Sequence, residues 1–355
     1  MKIIFTGGGT AGHVTPNIAI INELDRAKWE IHYIGSHVGI ERELIEQIDI
    51  PYHSISSGKL RRYIDLENVK DAFRVIRGIF HARKTLKKLR PDVIFSKGGF
   101  VSVPVILAAR SLKIPCIIHE SDLTPGLANK LSKRFASKIF TSFEETVKYL
   151  PTSITQAIGS PIRRELLNGD KEKGLALLSF HTDKPILLVM GGSLGAVKIN
   201  TTLRTHLTEL TKDFQIVHLC GKGNMDPAFE DIPSYKQFEY VNEELADIFA
   251  VTDFVLTRGG SNAIFEFLAL KIPMLIVPLP KEQSRGDQIL NAANFTKKGY
   301  ALTLEESDNM ALVETLATLK SSAREMKQAM QDAYPQNALE VIIDEITMTA
   351  RRKLK

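Results

Sequence analysis

Three glycine-rich stretches in this chain could hold an anion: residues 7–12 (GGGTAG), 97–100 (KGGF) and 191–195 (GGSLG). Each follows a short apolar run that reads as a buried strand and precedes a segment of helical length. Glycines let a backbone approach a ligand closely, and the unpaired N–H groups at a helix start attract negative charge. One such loop is no more than a tight turn; three of them at strand ends point to a phosphate-rich substrate. The first also satisfies G-x-G-x-x-G, the pattern of a dinucleotide-binding turn. That site needs an acid at the end of the second strand to take the ribose hydroxyls. Here the second strand, residues 30–34, runs into Gly35, Ser36 and His37, so a nicotinamide cofactor is disfavoured.

The histidines and cysteines suggest no metal. His32, His53 and His218 sit singly in strand-like or loop segments, without the spacing of a metal-ligand set. Cys116 and Cys220 each lie inside an apolar run and read as core residues of a reducing, cytoplasmic compartment.

The elements that must position the glycine loops alternate between strand-like and helix-length segments, the pattern of α/β domains with parallel sheets. In the first half, strands are expected at 2–6, 30–34, 93–96, 116–119 and 138–141. Helices are expected at 16–27, 39–46, 66–88, 103–112 and 126–135. The grammar restarts at residue 185: IIFTGGGTAG near the N-terminus and LLVMGGSLGA at 187–196 are both strand, glycine turn, helix start. Further strands are expected at 215–219, 254–257 and 274–277. Two doubly wound domains in tandem follow, joined near residues 158–164, with ligands at the carboxyl ends of their strands in the cleft between them.

With 355 residues, 44% hydrophobic and 25% charged, the composition is that of a soluble globular protein, and no run approaches the length of a membrane span. The net charge of +5 is unevenly divided. Residues 1–163 carry 24 Lys and Arg against 15 Asp and Glu, whereas residues 164–355 carry 22 against 26. One half therefore suits an anionic partner: nucleic acid, an anionic membrane or a phosphorylated substrate. The excess is concentrated at residues 59–90, with eleven basic and three acidic residues. There Val69, Phe73, Ile76, Ile79 and Phe80 recur at spacings of three and four, one stripe of a helix. The stripe either faces the protein's own core or lies in a membrane interface, with Arg74 and Arg77 on anionic headgroups. Nucleic acid is the weaker partner, since no binding module is recognisable. The basic end, residues 351–355, reads as a frayed tail.

Taken together, several strings resemble one family. They are 8–13 (GGTAGH), 97–104 (KGGFVSVP), His119-Glu120 with 125–130 (PGLANK), 191–195, 258–263 (RGGSNA) with Glu266, and Asp287-Gln288 with Asn291-Ala292. The chain is similar over nearly its whole length to MurG, the transferase that adds N-acetylglucosamine to a lipid-linked muramyl-pentapeptide. The resemblance implies a GT-B fold, α/β, with two Rossmann-like domains facing across a cleft. The implied divisions are 1–161 for the acceptor and membrane, 162–340 for the donor, and a C-terminal helix and tail at 341–355. It implies UDP-N-acetylglucosamine as donor and an undecaprenyl-diphosphate-linked muramyl-pentapeptide as acceptor, with inversion and no cofactor. It also implies a peripheral place on the cytoplasmic face of the bacterial membrane.

By the same resemblance Arg163 and Ser193 contact the donor diphosphate, Glu266 the ribose, Tyr240 and Val241 the phosphates and uracil, and Gln288 the sugar. Thr10, Ala11 and Gly12 lie beside the sugar, and Gly9, Gly98 and Gly99 cradle the acceptor diphosphate. His13 closes that loop; it is the candidate base, or only a brace for the loop. Two positions depart from the family, which has Asn in place of Asp122 and Gln in place of Asp287. A carboxylate still accepts from sugar hydroxyls, but it repels a diphosphate unless shielded. Rival activities on this architecture are UDP-N-acetylglucosamine 2-epimerases and glycolipid synthases; a non-catalytic sugar-nucleotide binder is a third reading.

Overall fold

The computed structural model describes residues 1–58, 66–181, 183–192, 195–333 and 337–354, excluding the side chains of residues 66–70, 72 and 354. The chain divides into two compact units, Met1–Pro161 with Pro335–Lys355, and Ile162–Tyr334.

In the first unit the strands are β1 (Lys2–Thr6), β2 (Glu30–Ser36), β3 (Tyr52–Ile55), β4 (Val93–Ser96), β5 (Cys116–Glu120), β6 (Lys138–Thr141) and β7 (Thr155–Ala157). Among the described residues they form one parallel sheet in the order β3-β2-β1-β4-β5-β6-β7. Helices α1 (Thr15–Glu23), α2 (Ile40–Glu46), α3 (Leu66–Leu89), α4 (Ser102–Ser111) and α5 (Leu127–Ser132) connect them. The second unit begins with α6 (Lys171–Leu178). It then builds a parallel sheet from β8 (Ile186–Met190), β9 (Gln215–Leu219), β10 (Tyr235–Phe238), β11 (Phe254–Thr257), β12 (Met274–Ile276) and β13 (Ala301–Thr303). Its order is β10-β9-β8-β11-β12-β13. The helices are α7 (Val197–Thr205), α8 (Leu207–Asp213), α9 (Leu245–Val251), α10 (Ser261–Leu270), α11 (Asp287–Lys297), α12 (Leu312–Ser321) and α13 (Ala323–Gln331). A last helix, α14 (Ala338–Leu354), belongs to the first unit.

The central strands are buried on both faces, so they read as unbroken apolar runs: Ile3, Ile4 and Phe5 in β1, and Leu187, Leu188 and Val189 in β8, are fully buried. Four strands without such runs, β3, β7, β10 and β13, are all sheet edges. An edge strand has a single neighbour and needs less apolar sequence, which is why these four were not expected.

Two amphipathic helices behave differently from each other. In α3, Ala82 and Leu86 are buried, and Gly78 comes so close to the Ser56 carbonyl that a Cβ there would lie 2.1 Å from it. That inward face leaves Phe73, Ile76 and Phe80 exposed at 68%, 51% and 67%. Ile79 is half-buried against the core, and the side chain of Val69 lies outside the described residues. In α14, Ala338, Leu339, Ile342, Ile346 and Ala350 join the core around Ile3, Phe5 and Trp29. The helix starts at Ala338 rather than 341, and residues 351–354, expected to fray, are helical. It remains helical to Leu354, and Lys353 Nζ donates to the Pro91 carbonyl at 2.5 Å.

Ile346→Ala should lower the stability of the first unit by about 2–5 kcal/mol in urea unfolding, as a fully buried isoleucine leaves a cavity. Phe80→Ser, on the exposed face of α3, should change it by no more than about 0.5 kcal/mol.

Candidate active site

The β1 loop of the first unit is held from below. Thr6 Oγ1 donates to the Ile34 carbonyl, Tyr33 Oη to the Gly7 carbonyl at 2.7 Å, and the buried Asn17 amide to Thr6 O and to Tyr33 Oη. Glu41, wholly buried at the start of α2, accepts from Gly9 N at 3.1 Å, from Ser36 N at 3.2 Å and from Ser36 Oγ. A Cβ on Gly8 would fall 2.5 Å from the Glu41 carboxylate, so this glycine is dictated by the approach. Gly99, at φ +81°, sits where a Cβ would meet the Gly8 carbonyl at 2.2 Å. The first and second glycine loops therefore interlock backbone to backbone. Gly9, at φ +88°, has open space at its Cβ position, with nothing within 4 Å.

Ala11–His13 form one 3-10 turn, and Thr10 Oγ1 and His13 Nδ1 are 3.0 Å apart. If Nδ1–H donates to Thr10, the lone pair on Nε2 is left to take a proton; the opposite tautomer would disable it. Thr10, Ala11, Gly12 and His13 are thus gathered on one short turn.

Behind the second loop lies a buried polar cluster. Lys97 Nζ donates to His119 Nδ1 at 2.5 Å and to Ser121 Oγ, while His119 Nε2–H donates to the Gly159 carbonyl at 3.1 Å. Burial pushes the Lys97 ammonium down to about 7, against the pull of Glu120 and Asp122. Burial, and then the Lys97 charge, hold His119 well below its ordinary range, so it is a neutral acceptor. Glu120 accepts from Asp122 N, Gly126 N and Asn129 Nδ2 at 2.8–3.0 Å. Its carboxyl is nevertheless raised, first by burial and then by Asp122.

In the second unit Gly195, at φ +75°, lies against the Cys220 carbonyl and precedes α7. Ser193 lies outside the described residues. The helix starts of α10 and α11 are packed together: a Cβ on Gly259 would meet Gln288 O at 2.5 Å, and Asn291 Nδ2 donates to Gly259 O at 3.1 Å. Arg163 and Glu266 are paired, Nη2 to Oε1 at 3.6 Å. Burial raises the Glu266 carboxyl to about 7, partly opposed by the nearby guanidinium. Gln288 Oε1 accepts from Leu279 N at 3.0 Å, which turns its NH2 end away from that contact as a donor. Tyr240 is exposed at 62% just beyond β10, and Val241 beside it is buried.

Some residues that build this arrangement carry no sequence signal. Glu41 occupies a first helical turn, where an acid is ordinarily a solvated surface residue. Arg258 is buried, donating to Val277 O and to Glu306, which Lys198 also reaches at 3.1 Å. Glu306 is 48 residues from Arg258, and nothing local announces the pair.

Comparison with known proteins follows the same division. The Glycosyltransferase family 28 N-terminal domain matches residues 3–141, and its C-terminal domain matches residues 186–346. A Bacillus cereus protein named UDP-N-acetylglucosamine--N-acetylmuramyl-(pentapeptide) pyrophosphoryl-undecaprenol N-acetylglucosamine transferase 2 is 56% identical over 348 residues. That match covers 98% of this chain and 99% of the relative. The chain belongs to the MurG family. A Shouchella clausii transferase of the same name, without the numeral, is also 56% identical, over 97% of this chain and 98% of its own. The crystal structure of Acinetobacter baumannii MurG superposes with a TM-score of 0.79 at 24% identity, covering 98% and 99% of the two chains. The UDP-GlcNAc 2-epimerase of Methanocaldococcus jannaschii reaches 0.63 at 15%, over 98% and 99%, a likeness of fold alone. As a MurG-family member the chain is a glycosyltransferase of GT-B type, built from two parallel α/β domains.

Two measurements check the geometry. Glu41→Ala removes the carboxylate that accepts from the part-buried N–H groups of Gly9 and Ser36, and should lower Tm and speed amide exchange at both. Glu266 has a raised folded-state pKa, so folding takes up a proton between its ordinary value of 4.5 and about 7. Its contribution to stability is present below that window and declines as pH rises through it. Glu266→Gln should flatten the pH dependence of urea unfolding between about 4.5 and 7.

Proposed function

We propose that this enzyme transfers N-acetylglucosamine from UDP-N-acetylglucosamine to undecaprenyl-diphosphate-linked N-acetylmuramyl-pentapeptide, completing the lipid-linked precursor of peptidoglycan. The observation that carries this reading is the match of 98% of the chain, at 56% identity, to a relative named for that transfer.

On this reading the second unit holds the donor. Glu266 accepts from the ribose hydroxyls, and Arg163, already beside it, supplies a bidentate, charge-assisted contact to the diphosphate. Tyr240 and Val241 flank the nucleotide, the Gln288 amide donates to the sugar, and Ser193 takes a diphosphate contact. The first unit holds the acceptor diphosphate on Gly9, Gly98 and Gly99, with Thr10, Ala11, Gly12 and Asp122 towards the donor sugar. In the chemical step the acceptor hydroxyl oxygen attacks the anomeric carbon, and the bond from that carbon to the diphosphate oxygen breaks with inversion. UDP departs with the bonding electrons, and the hydroxyl proton passes to His13 Nε2. Arg163 and the helix-start amides stabilise the charge that develops on UDP.

A lipid-linked acceptor requires contact with a membrane. Among the described residues no helix is long and apolar enough to cross one. The exposed Phe73, Ile76 and Phe80 with Arg77 form an apolar-basic surface suited to peripheral binding on the anionic cytoplasmic face. Arg74 is paired with the buried Asp71, and Arg83 donates to Ser111, so Arg77 is the cleaner charge to test.

Incubation with radiolabelled UDP-N-acetylglucosamine and detergent-solubilised bacterial lipid should place label in the lipid phase; label remaining as free sugar nucleotide would reject the assignment. His13→Ala should lower kcat by roughly 10²–10⁴ with UDP affinity unchanged. A variant within about threefold of the parent would remove the base role. Phe73→Ser with Arg77→Glu should release the protein from anionic vesicles in a sedimentation assay while UDP binding persists. Each surface arginine is worth about 1 kcal/mol there.

A further inference from the structure

Among the residues proposed to read the donor, Asp287 carries a charge that opposes its neighbourhood. Asp287 opens α11 immediately before Gln288, and a free carboxylate there would repel a nucleoside diphosphate. Its environment resolves the conflict. Asp287 Oδ2 accepts from Arg285 Nη2 at 2.8 Å, with the carboxylate 19% and the guanidinium 42% exposed. The intervening Gly286 adopts φ +80°, a left-handed turn that brings residues 285 and 287 to the same side. The turn is itself braced, because Gly286 N donates to Ser284 Oγ at 3.0 Å. The other oxygen, Oδ1, is buried without a hydrogen-bond partner among the described residues. A carboxylate so placed has one oxygen neutralised by a cation and one acceptor still to be satisfied. Beside it, Gln288 has spent its carbonyl on Leu279 N and retains its NH2. The two neighbours thus differ in kind: residue 287 can only accept, while residue 288 has donors to give.

We propose that Arg285 is a positioning residue for the donor. By pairing with Asp287 it offsets the repulsion between that carboxylate and the donor diphosphate. The proposal rests on the donor assignment above. It predicts that Arg285 matters only because residue 287 is charged.

The test is a double-mutant cycle on the full-length enzyme, with Arg285→Ala, Asp287→Gln and the double variant, using UDP-N-acetylglucosamine and UDP as calorimetric probes. Arg285→Ala should weaken UDP-N-acetylglucosamine binding about tenfold, from the loss of one partly exposed charge interaction. The loss should grow as salt is lowered, since an unshielded carboxylate then repels the diphosphate over a longer range. In the Asp287→Gln background the same Arg285→Ala change should cost less than about twofold, because no charge remains to be shielded. An equal loss in both backgrounds overturns the proposal, since Arg285 would then touch the donor itself or merely brace the loop. No loss in the parent background overturns it as well. Thermal melts of the three variants check that each is folded. Glu266→Ala separates this idea from the one beneath it. If that change leaves UDP binding intact, the donor assignment fails. If it weakens UDP binding while the Arg285 effect stays additive, only the Arg285 proposal falls.

Discussion

Parallel pairing is the constraint on which the remaining structure depends. Parallel strands cannot be joined by tight turns, so every strand in each sheet must be followed by a crossover that returns the chain to the starting edge. All carboxyl ends then lie along one edge of each sheet, and every strand-to-helix loop emerges there. In both units the order reverses beside the first strand, between β1 and β4 and between β8 and β11. At that reversal neighbouring crossovers depart to opposite faces and leave room for a ligand. The loops after β1 and β4, and those after β8 and β11, are the glycine-rich ones.

Gathering loops at one edge has an electrostatic consequence. The interlocking backbones of Gly8 and Gly99 leave little room for water, and the side chains that brace them are withdrawn from solvent. Glu41 is wholly buried, Lys97 is 2% exposed, and Glu120 is 5% exposed. Buried charges persist only when paired or hydrogen-bonded, and burial otherwise favours their neutral forms. In the first unit Glu41 accepts from three donors, and burial draws Lys97 towards a neutral amine beside a neutral His119. In the second unit Glu266 is raised by burial although Arg163 stands next to it.

The two amphipathic helices show how similar apolar stripes acquire opposite fates. Both α3 and α14 carry apolar residues at helical spacing with charged residues between them. In α14 the stripe is covered by α1 and β4 and becomes core. In α3 the small residues Gly78 and Ala82 permit close approach to the body of the unit, so the larger Phe73, Ile76 and Phe80 are the ones left outside. Side-chain size on the packed face, rather than the stripe of large residues, selects the buried side.

Much of this was legible in the sequence. Central strands of a parallel sheet are buried on both faces, so apolar runs such as 3–5 and 187–189 announce them, and the glycines that follow mark where the backbone must turn sharply or approach closely. That repetition determined two α/β domains and the order of their loops, and the motif strings determined the family. What only the tertiary structure decided are contacts made between distant segments. The edge strands β3, β7, β10 and β13 needed partners before they could be strands at all. Whether Phe80 or Ile346 would be buried depended on what packed against each helix. The burial of Glu41, the Arg163–Glu266 and Arg258–Glu306 pairs, and the neutral state of His119 depend on desolvation and through-space charge. Neither quantity is a property of local sequence, because each is set by atoms tens of residues away.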